Sequence, residues 1–202
     1  MIVIGILGGV GSGKSTVAAE LEKLGAVLVD ADRAGHQVLA EPEVIVALRD
    51  RWGDDSIDTK GQINRRRVAE IVFGPGAAAE LEFLEQTTHP RIGQILREQI
   101  DTARRQNHRV IVLDAAIMLK TGWDALCDHL LFVDVPEAIR QQRAEARGWT
   151  VDDFADREAS QTPLAEKKER ADVVIDNSGS VGEVSVQIAE FWGGLSPEKP
   201  GV

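Results

Sequence analysis

Five short, mostly apolar runs recur along the chain, and each ends at or directly before an aspartate, a glycine or a proline. They cover Ile2–Leu7, Ala26–Val29, Arg109–Asp114, Leu130–Val135 and Val173–Ile175. Continuous apolar runs of this length are typical of strands that are buried on both faces of a sheet. Because segments with helical spacing separate the runs, the pattern predicts a doubly wound parallel sheet in an α/β fold.

The segments between the predicted strands carry apolar residues at helical spacing, beginning with Ser15–Leu24. About eighty residues separate the second and third strands, whereas one crossover connection needs about a dozen. The extra length predicts an inserted helical region. Its helices are expected at Ala34–Trp52, Arg66–Phe73, Ala77–Gln86 and Pro90–Gln106. His89-Pro90 separates the last two, because the residue before a proline avoids helical backbone angles.

A glycine-rich loop joins the first predicted strand to the first predicted helix. Its sequence, GGVGSGKS from Gly8 to Ser15, fits the pattern G-x-x-x-x-G-K-[ST] at every fixed position. Glycines let successive backbone N–H groups converge on a phosphate, and the helix N-terminus adds positive charge. Lys14 would reach the β- and γ-phosphates of ATP, and Ser15 would bind Mg²⁺. We assign nucleotide binding to Gly11, Ser12, Gly13, Lys14, Ser15 and Thr16. The alternative is a turn that binds no ligand.

These elements predict a P-loop core, a helical insertion, a second helical segment and a tail. The core is expected at residues 1–33, 107–137 and 171–195, the insertion at 34–106, the second helical segment at 138–170 and a disordered tail at 196–202.

Several aspartates end predicted strands, where ligands bind in open α/β sheets. Asp32 follows a strand that we expect beside the phosphate loop, so it is the candidate general base; its alternative role is the N-cap of a helix from Ala34. Asp114 resembles a Walker B aspartate that holds Mg²⁺ together with Ser15, or it caps its strand. Asp134 is expected to be structural.

Two arginine clusters are candidates for binding anions. Arg140, Arg143 and Arg147 are spaced by three and four residues, so they are expected on one helix face, either over ATP or in solvent. Arg65-Arg66-Arg67 lies in the insertion, where one member would meet an anionic substrate. His89, taken alone, is expected to be structural.

The composition limits the classes of function. The formal net charge of −10 argues against the broad basic surface that nucleic-acid binding requires. Cys127 is the single cysteine, so no intramolecular disulfide can form and a reducing compartment is expected. The sequence has neither a signal-peptide pattern nor the ~20 consecutive apolar residues that span a bilayer. We therefore predict a cytoplasmic protein without nucleic-acid or membrane partners.

The motifs resemble those of the dephospho-CoA kinase family from Met1 to about Gly179. They are GGVGSGKST at Gly8–Thr16, VDADRAGHQV at Val29–Val38, GQINR at Gly61–Arg65, His89-Pro90, RQQRAEAR at Arg140–Arg147, REASQ at Arg157–Gln161 and ADVVIDNSG at Ala171–Gly179. The resemblance implies a P-loop kinase that uses ATP and Mg²⁺ to phosphorylate the ribose 3′-hydroxyl of dephospho-CoA. This reaction is the last step of coenzyme A synthesis.

The resemblance also implies roles for individual residues. Asp32 would be the catalytic base, Arg143 a catalytic lid arginine near the phosphates, and Asn177 a residue beside the adenine. Residues 34–106 would receive the coenzyme A moiety, and residues 138–170 would form the lid. We accordingly assign Arg65 and His89, with Asp32, to substrate binding, and Arg147 to nucleotide binding.

One segment departs from the family pattern. The family reads D-x-P-L-L-F-E after the third strand, whereas this chain has Ala116 at the proline and Lys120 at the glutamate. We expect Lys120 to lie near the substrate cleft and to pair with a carboxylate such as Asp124, one helical turn away, so that activity is retained. The alternative is that Lys120 attracts an acceptor more anionic than dephospho-CoA or leaves a slow enzyme.

Two other functions remain open from the sequence. A kinase of another nucleoside or nucleotide would share the core and lid but would use a different acceptor pocket. A non-catalytic P-loop regulator would bind nucleotide without transferring phosphate; the lack of an N-K-x-D guanine-binding motif and the presence of Asp32 and Arg143 disfavour it. The expected partner is a small-molecule substrate, and the expected assembly is a monomer or small homo-oligomer.

Overall fold

The structure is a computed structural model that describes residues 1–195, so the tail predicted at 196–202 lies outside the described residues. Five strands form one sheet in the order β2-β3-β1-β4-β5, and all neighbouring pairs are parallel. They are β1 (Ile2–Gly8), β2 (Val27–Asp30), β3 (Val110–Asp114), β4 (His129–Asp134) and β5 (Val173–Asp176). The predicted fold class and all five predicted strands are confirmed.

The centre of the sheet forms the main core. All residues of β1 are buried, and Ile4 and Ile6 have no exposed surface. They pack with Val17 and Leu21 of α1 (Lys14–Lys23) and with Ile188 of α10 (Val181–Gly193). Burial of these side chains on both faces supplies the main driving force for this packing. The core thereby fixes the end of β1, where the glycine-rich loop begins.

The remaining helices lie between the strands in the sequence. They are α2 (Ala31–Val38), α3 (Pro42–Trp52), α4 (Arg65–Val72), α5 (Ala78–Arg105), α6 (Met118–Thr121), α7 (Glu137–Glu145), α8 (Val151–Ala159) and α9 (Leu164–Glu169). Among the described residues, no helix has both the length and the apolar character needed to cross a bilayer.

The strand order corrects one expectation. We expected the strand before Asp32 to lie beside the phosphate-loop strand, but β3 separates β2 from β1. Strand β3, one of the two neighbours of β1, ends in Asp114, which is in register with Ile6. Adjacent strands in a doubly wound sheet need not be consecutive in sequence, so the hydrophobic pattern alone does not give their order.

The helix boundary predicted at His89-Pro90 is wrong, because α5 continues through Pro90. Thr88, Ile92 and Leu96 are buried at a spacing of four residues across the proline, whereas Pro90 itself is exposed. The continuous buried stripe favours one helix, and water can reach the backbone on the side where the proline removes a hydrogen bond.

The chain divides into two compact units, which we call the helical unit (Ala31–Glu98) and the sheet unit (Met1–Asp30 and the chain from Gln99 onward). The helical unit contains α2, α3, α4 and most of α5. Within it, Arg91 forms ion pairs with Glu41 and Glu43. The unit starts three residues before the predicted insertion at 34–106 and ends eight residues before its predicted end.

Candidate nucleotide-binding site

The phosphate loop (Gly8–Ser15) joins β1 to α1 through two glycines in the left-handed backbone region. Gly11 has a φ of 73° and Gly13 a φ of 81°. Other residues rarely adopt these angles, so a side chain at either position would strain the backbone. Gly13 directly precedes α1, and the first N–H groups of that helix therefore point out of its start with no acceptor inside the helix.

The loop packs too closely against neighbouring segments to carry side chains at its glycines. A Cβ atom at Gly11 would lie 2.5 Å from the backbone oxygen of Arg140, and one at Gly9 would lie 2.7 Å from the Nη1 atom of Arg140. A Cβ atom at Gly13 would overlap the side-chain amide of Asn177. These glycines are therefore needed for packing as well as for the approach of a phosphate.

Asn177 and Arg143 both hold the backbone oxygen of Ser12. The buried Asn177 side chain donates from Nδ2 at 2.7 Å, and Arg143 donates from Nη1 at 3.4 Å. Arg143 also donates from Nη2 to the backbone oxygen of Asn177, at 2.8 Å. The half-buried guanidinium group thus lies against the loop with part of its donor set unused.

Arg140 holds the next carbonyl group of the loop. Its Nη1 atom donates to the backbone oxygen of Val10 at 3.2 Å and forms an ion pair with Glu158. The side chain is almost completely buried, and its guanidinium group lies over the ring of Phe154, 5.4 Å from the ring centroid. Arg140 therefore joins the phosphate loop, α7 and α8.

Lys167 of α9 holds a third carbonyl group. Its Nζ atom donates to the backbone oxygen of Gly8 at 3.0 Å and to Oε1 of Gln161 at 2.7 Å, and the residue is only 3% exposed. The oxygens of Gly8, Val10 and Ser12 are thus all bonded to side chains from the second half of the chain. These bonds fix the conformation of the loop.

The hydroxyl group of Ser12 fits the binding of a phosphate. Of the buried side-chain nitrogen and oxygen atoms in residues 1–195, Ser12 Oγ is the one without a hydrogen-bond partner. A buried polar group without a partner is costly, and a phosphate oxygen would remove that cost. The orphaned hydroxyl, the left-handed glycines and the start of α1 together make a site for a polyphosphate.

The remaining predicted nucleotide and metal residues belong to the same unit. Lys14 and Thr16 are half-buried and Ser15 is exposed, all in the first turn of α1, while Asp114 ends the strand next to β1. No group of three or more His, Cys, Asp or Glu side chains able to hold a metal occurs within residues 1–195. One hydroxyl and one carboxylate suit a Mg²⁺ ion that takes its other ligands from water and phosphates.

The predicted arginine face is only partly correct. Arg140 and Arg143 contact the phosphate loop, which excludes a purely solvated face for these two residues. Arg147 lies in the exposed turn after α7, because the helix ends at Glu145 and Gly148 turns the chain with a φ of 83°. The sequence spacing did not reveal where the helix ends.

The other predicted site residues belong to the helical unit. Asp32 is exposed in the first turn of α2. Because that helix begins at Ala31, the N-cap role before Ala34 is wrong.

Arg65 is the first residue of α4 and is exposed, and no side chain within residues 1–195 pairs with it. By contrast, Arg66 and Arg67 both pair with Glu70. His89 is half-buried within α5.

The structure also corrects the surroundings of Lys120. This residue is exposed in α6, and Gly122 turns the chain after that helix with a φ of 71°. Asp124 therefore does not share a helix with Lys120, and its carboxylate forms an ion pair with Arg170. Asp134 pairs with Lys168 at 2.6 Å, which agrees with its expected structural role.

Sequence reasoning missed Lys167 and the partners that surround Arg140. A lysine in a polar helical segment is normally solvated, and nothing in its local sequence distinguishes it from Lys168. The only signal was indirect, since Glu158 and Gln161 lie in the segment REASQ.

The sheet and its phosphate loop define a class: the chain has the P-loop nucleotide-binding fold. A solved structure of dephospho-CoA kinase from Campylobacter jejuni shares this fold, with a TM-score of 0.65 and 20% identity over 95% of each chain. A crystal structure of a Thermus thermophilus protein is more similar, with a TM-score of 0.81 and 30% identity, and covers 96% of this chain and 98% of that one.

The sequence comparisons identify the family. The sequence model of dephospho-CoA kinase matches residues 2–183. A dephospho-CoA kinase of Corynebacterium jeikeium is 37% identical over 197 residues, which are 96% of this chain and all of that protein. The chain therefore belongs to the dephospho-CoA kinase family, and the predicted family resemblance is confirmed.

Proposed function

We propose that the protein transfers the γ-phosphoryl group of ATP to the ribose 3′-hydroxyl of dephospho-CoA, giving CoA and ADP. Family membership supports this acceptor and the place of the reaction as the last step of CoA synthesis. The observation that carries phosphate binding is the buried Ser12 hydroxyl, which lacks a partner within residues 1–195 and lies in a loop already fixed for an anion.

The phosphate loop would bind the nucleotide through Gly11, Ser12, Gly13, Lys14, Ser15 and Thr16. Lys14 would hold the β- and γ-phosphates by its charge. Asn177 would lie beside the adenine, and its bond to the Ser12 oxygen would link that end of the nucleotide site to the loop.

Ser15 and Asp114 would hold Mg²⁺, the hydroxyl directly and the carboxylate directly or through water. The ion, when bound, supplies positive charge to the phosphate oxygens during transfer. Support for this assignment comes from the donor set, a hydroxyl and a carboxylate from neighbouring elements of the sheet unit.

Arg143 and Asp32 are the residues proposed for the chemistry. Asp32 would accept the proton of the 3′-hydroxyl as the new O–P bond forms and the bond from the γ-phosphorus to the ADP oxygen breaks. Arg143 uses two of its five N–H groups on backbone oxygens, so the remaining donors are available to the charge that develops on the transferred group.

The acceptor would be held by the helical unit. Arg65 is proposed to bind an anionic group of dephospho-CoA, because its neighbours Arg66 and Arg67 are engaged by Glu70. His89 is proposed as a second acceptor-binding residue, and Arg147 as a peripheral nucleotide-binding residue.

We also propose a cytoplasmic location, in agreement with the lone cysteine, and an enzyme that works without a nucleic-acid partner.

The test is an ADP-release assay with dephospho-CoA, with CoA and with no acceptor. CoA is the matched control because its 3′-hydroxyl already carries a phosphate. We expect ADP release with dephospho-CoA alone, and a product heavier by one phosphoryl group in the mass spectrum. Faster transfer to a nucleoside monophosphate would overturn the acceptor assignment, and ATP binding without transfer to any acceptor would indicate a regulator.

A further inference from the structure

Lys167 is an unusual lysine. It is the one lysine in the described range 1–195 that is buried, and lysine is almost never fully buried without a partner of opposite charge. Its two hydrogen bonds go to neutral oxygens, those of Gly8 and Gln161. Gly8 also begins the phosphate loop, so the ammonium group lies directly against that loop.

The charges that face Lys167 do not neutralise it. Lys14 from α1 and Arg140 from α7 are positive, and the one carboxylate that acts on it, Glu158 of α8, already forms an ion pair with Arg140. With Arg143, which also contacts the loop, four cationic side chains therefore accompany the phosphate loop, whereas Glu158 is already paired with Arg140. Such an accumulation of positive charge is costly by itself, and a polyphosphate would offset that cost.

We propose that Lys167 is a positioning residue for ATP. The lysine holds the Gly8 carbonyl group and places a buried positive charge beside the phosphate loop. The proposal rests on the proposed function only in taking ATP as the ligand of this loop. Lys167 would not touch the reacting atoms; its effect on them would pass through the backbone of Gly8 and through its charge.

Titration gives this role a distinctive signature. The pKa of Lys167 is lowered from 10.5 to about 8, chiefly by burial, with Lys14 and Arg140 lowering it further and Glu158 opposing them. Bound phosphates favour the protonated form, so by linkage the protonated protein binds ATP more tightly. Affinity is therefore complete below about pH 8, where the lysine of the free protein is protonated, and falls as the pH rises above that value.

The experiment measures ATP binding by titration calorimetry, without acceptor, from about pH 7 to about pH 9.5. The wild-type protein is compared with Lys167→Met, which keeps an unbranched side chain one atom shorter and removes the charge. Lys168→Met is the matched control, since Lys168 lies on the same helix, is exposed and pairs with Asp134. Lys167→Arg, whose charge does not titrate in this range, is the second variant.

We expect Lys167→Met to bind ATP about tenfold more weakly at pH 7 and to lose the pH dependence near pH 8. The tenfold figure assumes that bound ATP raises the pKa of Lys167 by about one unit, since a shift of one unit corresponds to tenfold in affinity. Lys168→Met should keep the wild-type profile, and Lys167→Arg should lose the decline at high pH. Equal affinities and profiles of Lys167→Met and the wild type would overturn the proposal.

Two further outcomes are decisive. If Lys167→Met does not fold, the wild-type profile and Lys167→Arg still test the proposal, and a wild-type affinity that does not change between about pH 7 and about pH 9.5 would contradict it. If the wild type binds ATP with the expected profile but does not phosphorylate dephospho-CoA, the inference stands and the proposed function fails.

Discussion

The surroundings of the phosphate loop and the helical unit differ in how their candidate residues are held. Around the phosphate loop, Arg140, Lys167 and Asn177 are buried and bonded to backbone oxygens that lie far away in sequence. In the helical unit, Asp32 and Arg65 are exposed on the first turns of their helices. The first set is fixed by contacts within the protein, whereas the second lies on an exposed surface.

This difference bears on specificity. A buried, hydrogen-bonded site loses little freedom when its ligand binds, so it suits a constant ligand such as ATP. Exposed side chains change at small cost to the fold, which lets related P-loop kinases differ in their acceptors. Substitutions in the two regions should therefore affect different kinetic constants.

The largest effect is expected from Lys14→Ala. Loss of the charge at the β- and γ-phosphates should lower kcat by about a thousandfold or more, while the fold is kept. Lys23→Ala is the control, because Lys23 lies at the exposed end of the same helix and pairs with Glu20. Near-normal turnover of a folded Lys14→Ala protein would rule out the phosphate-loop mechanism.

Asp32→Asn should lower kcat by about a hundredfold and leave ATP affinity unchanged, because the amide cannot accept the proton of the hydroxyl group. Steady-state kinetics with ATP and dephospho-CoA measure both constants. Asp50→Asn, a change at an exposed aspartate of α3, controls for the loss of one surface charge. Lower stability with unchanged turnover per folded molecule would mean that Asp32 is structural and that another group is the base.

Arg143→Ala should lower kcat by roughly ten- to a hundredfold and raise the KM for ATP less, since its charge acts most strongly in the transition state. Arg147→Ala should change either constant by less than about threefold, because its side chain is exposed after the end of α7. Equal losses in the two variants would show that position relative to the loop does not decide the effect.

The sequence was sufficient for the strands and for the loop, because both leave local signals. A buried parallel strand is a continuous apolar run, and the phosphate loop needs glycine, lysine and serine at fixed spacing. The order of the strands left no such signal, and so the neighbour of β1 was assigned wrongly. The path of α5 through Pro90 depended on packing beyond the local sequence.

The support of the loop could not be predicted for a related reason. Lys167 and Asn177 bind backbone oxygens that lie 159 and 165 residues away in the sequence. A backbone oxygen has no sequence signature, so neither contact could be recognised from residue types. Only the fold brings α9 and the end of β5 to the phosphate loop.

Arg65→Ala should raise the KM for dephospho-CoA by about tenfold without changing kcat or the KM for ATP, as expected when an exposed charge loses one anionic partner. Arg66→Ala is a matched control from the same turn, because Arg66 already pairs with Glu70. The acceptor role of Arg65 would be wrong if both variants had the same KM for dephospho-CoA.

The smallest effect is expected from Lys120→Glu, which restores the glutamate of the family pattern. A charge reversal inside a closed cleft would change the activity strongly. Lys120, however, is exposed near the end of a short helix, where solvent and salt screen its charge. Asp124 is held by Arg170, so the change should leave that ion pair intact. We therefore expect the wild type to be active on dephospho-CoA and Lys120→Glu to differ from it by less than about threefold in kcat/KM. Parallel assays at low and high salt test the reason as well as the result, because any small difference due to an exposed charge should shrink as salt is added. An inert wild type beside an active Lys120→Glu variant would show instead that this lysine changes the function of the site.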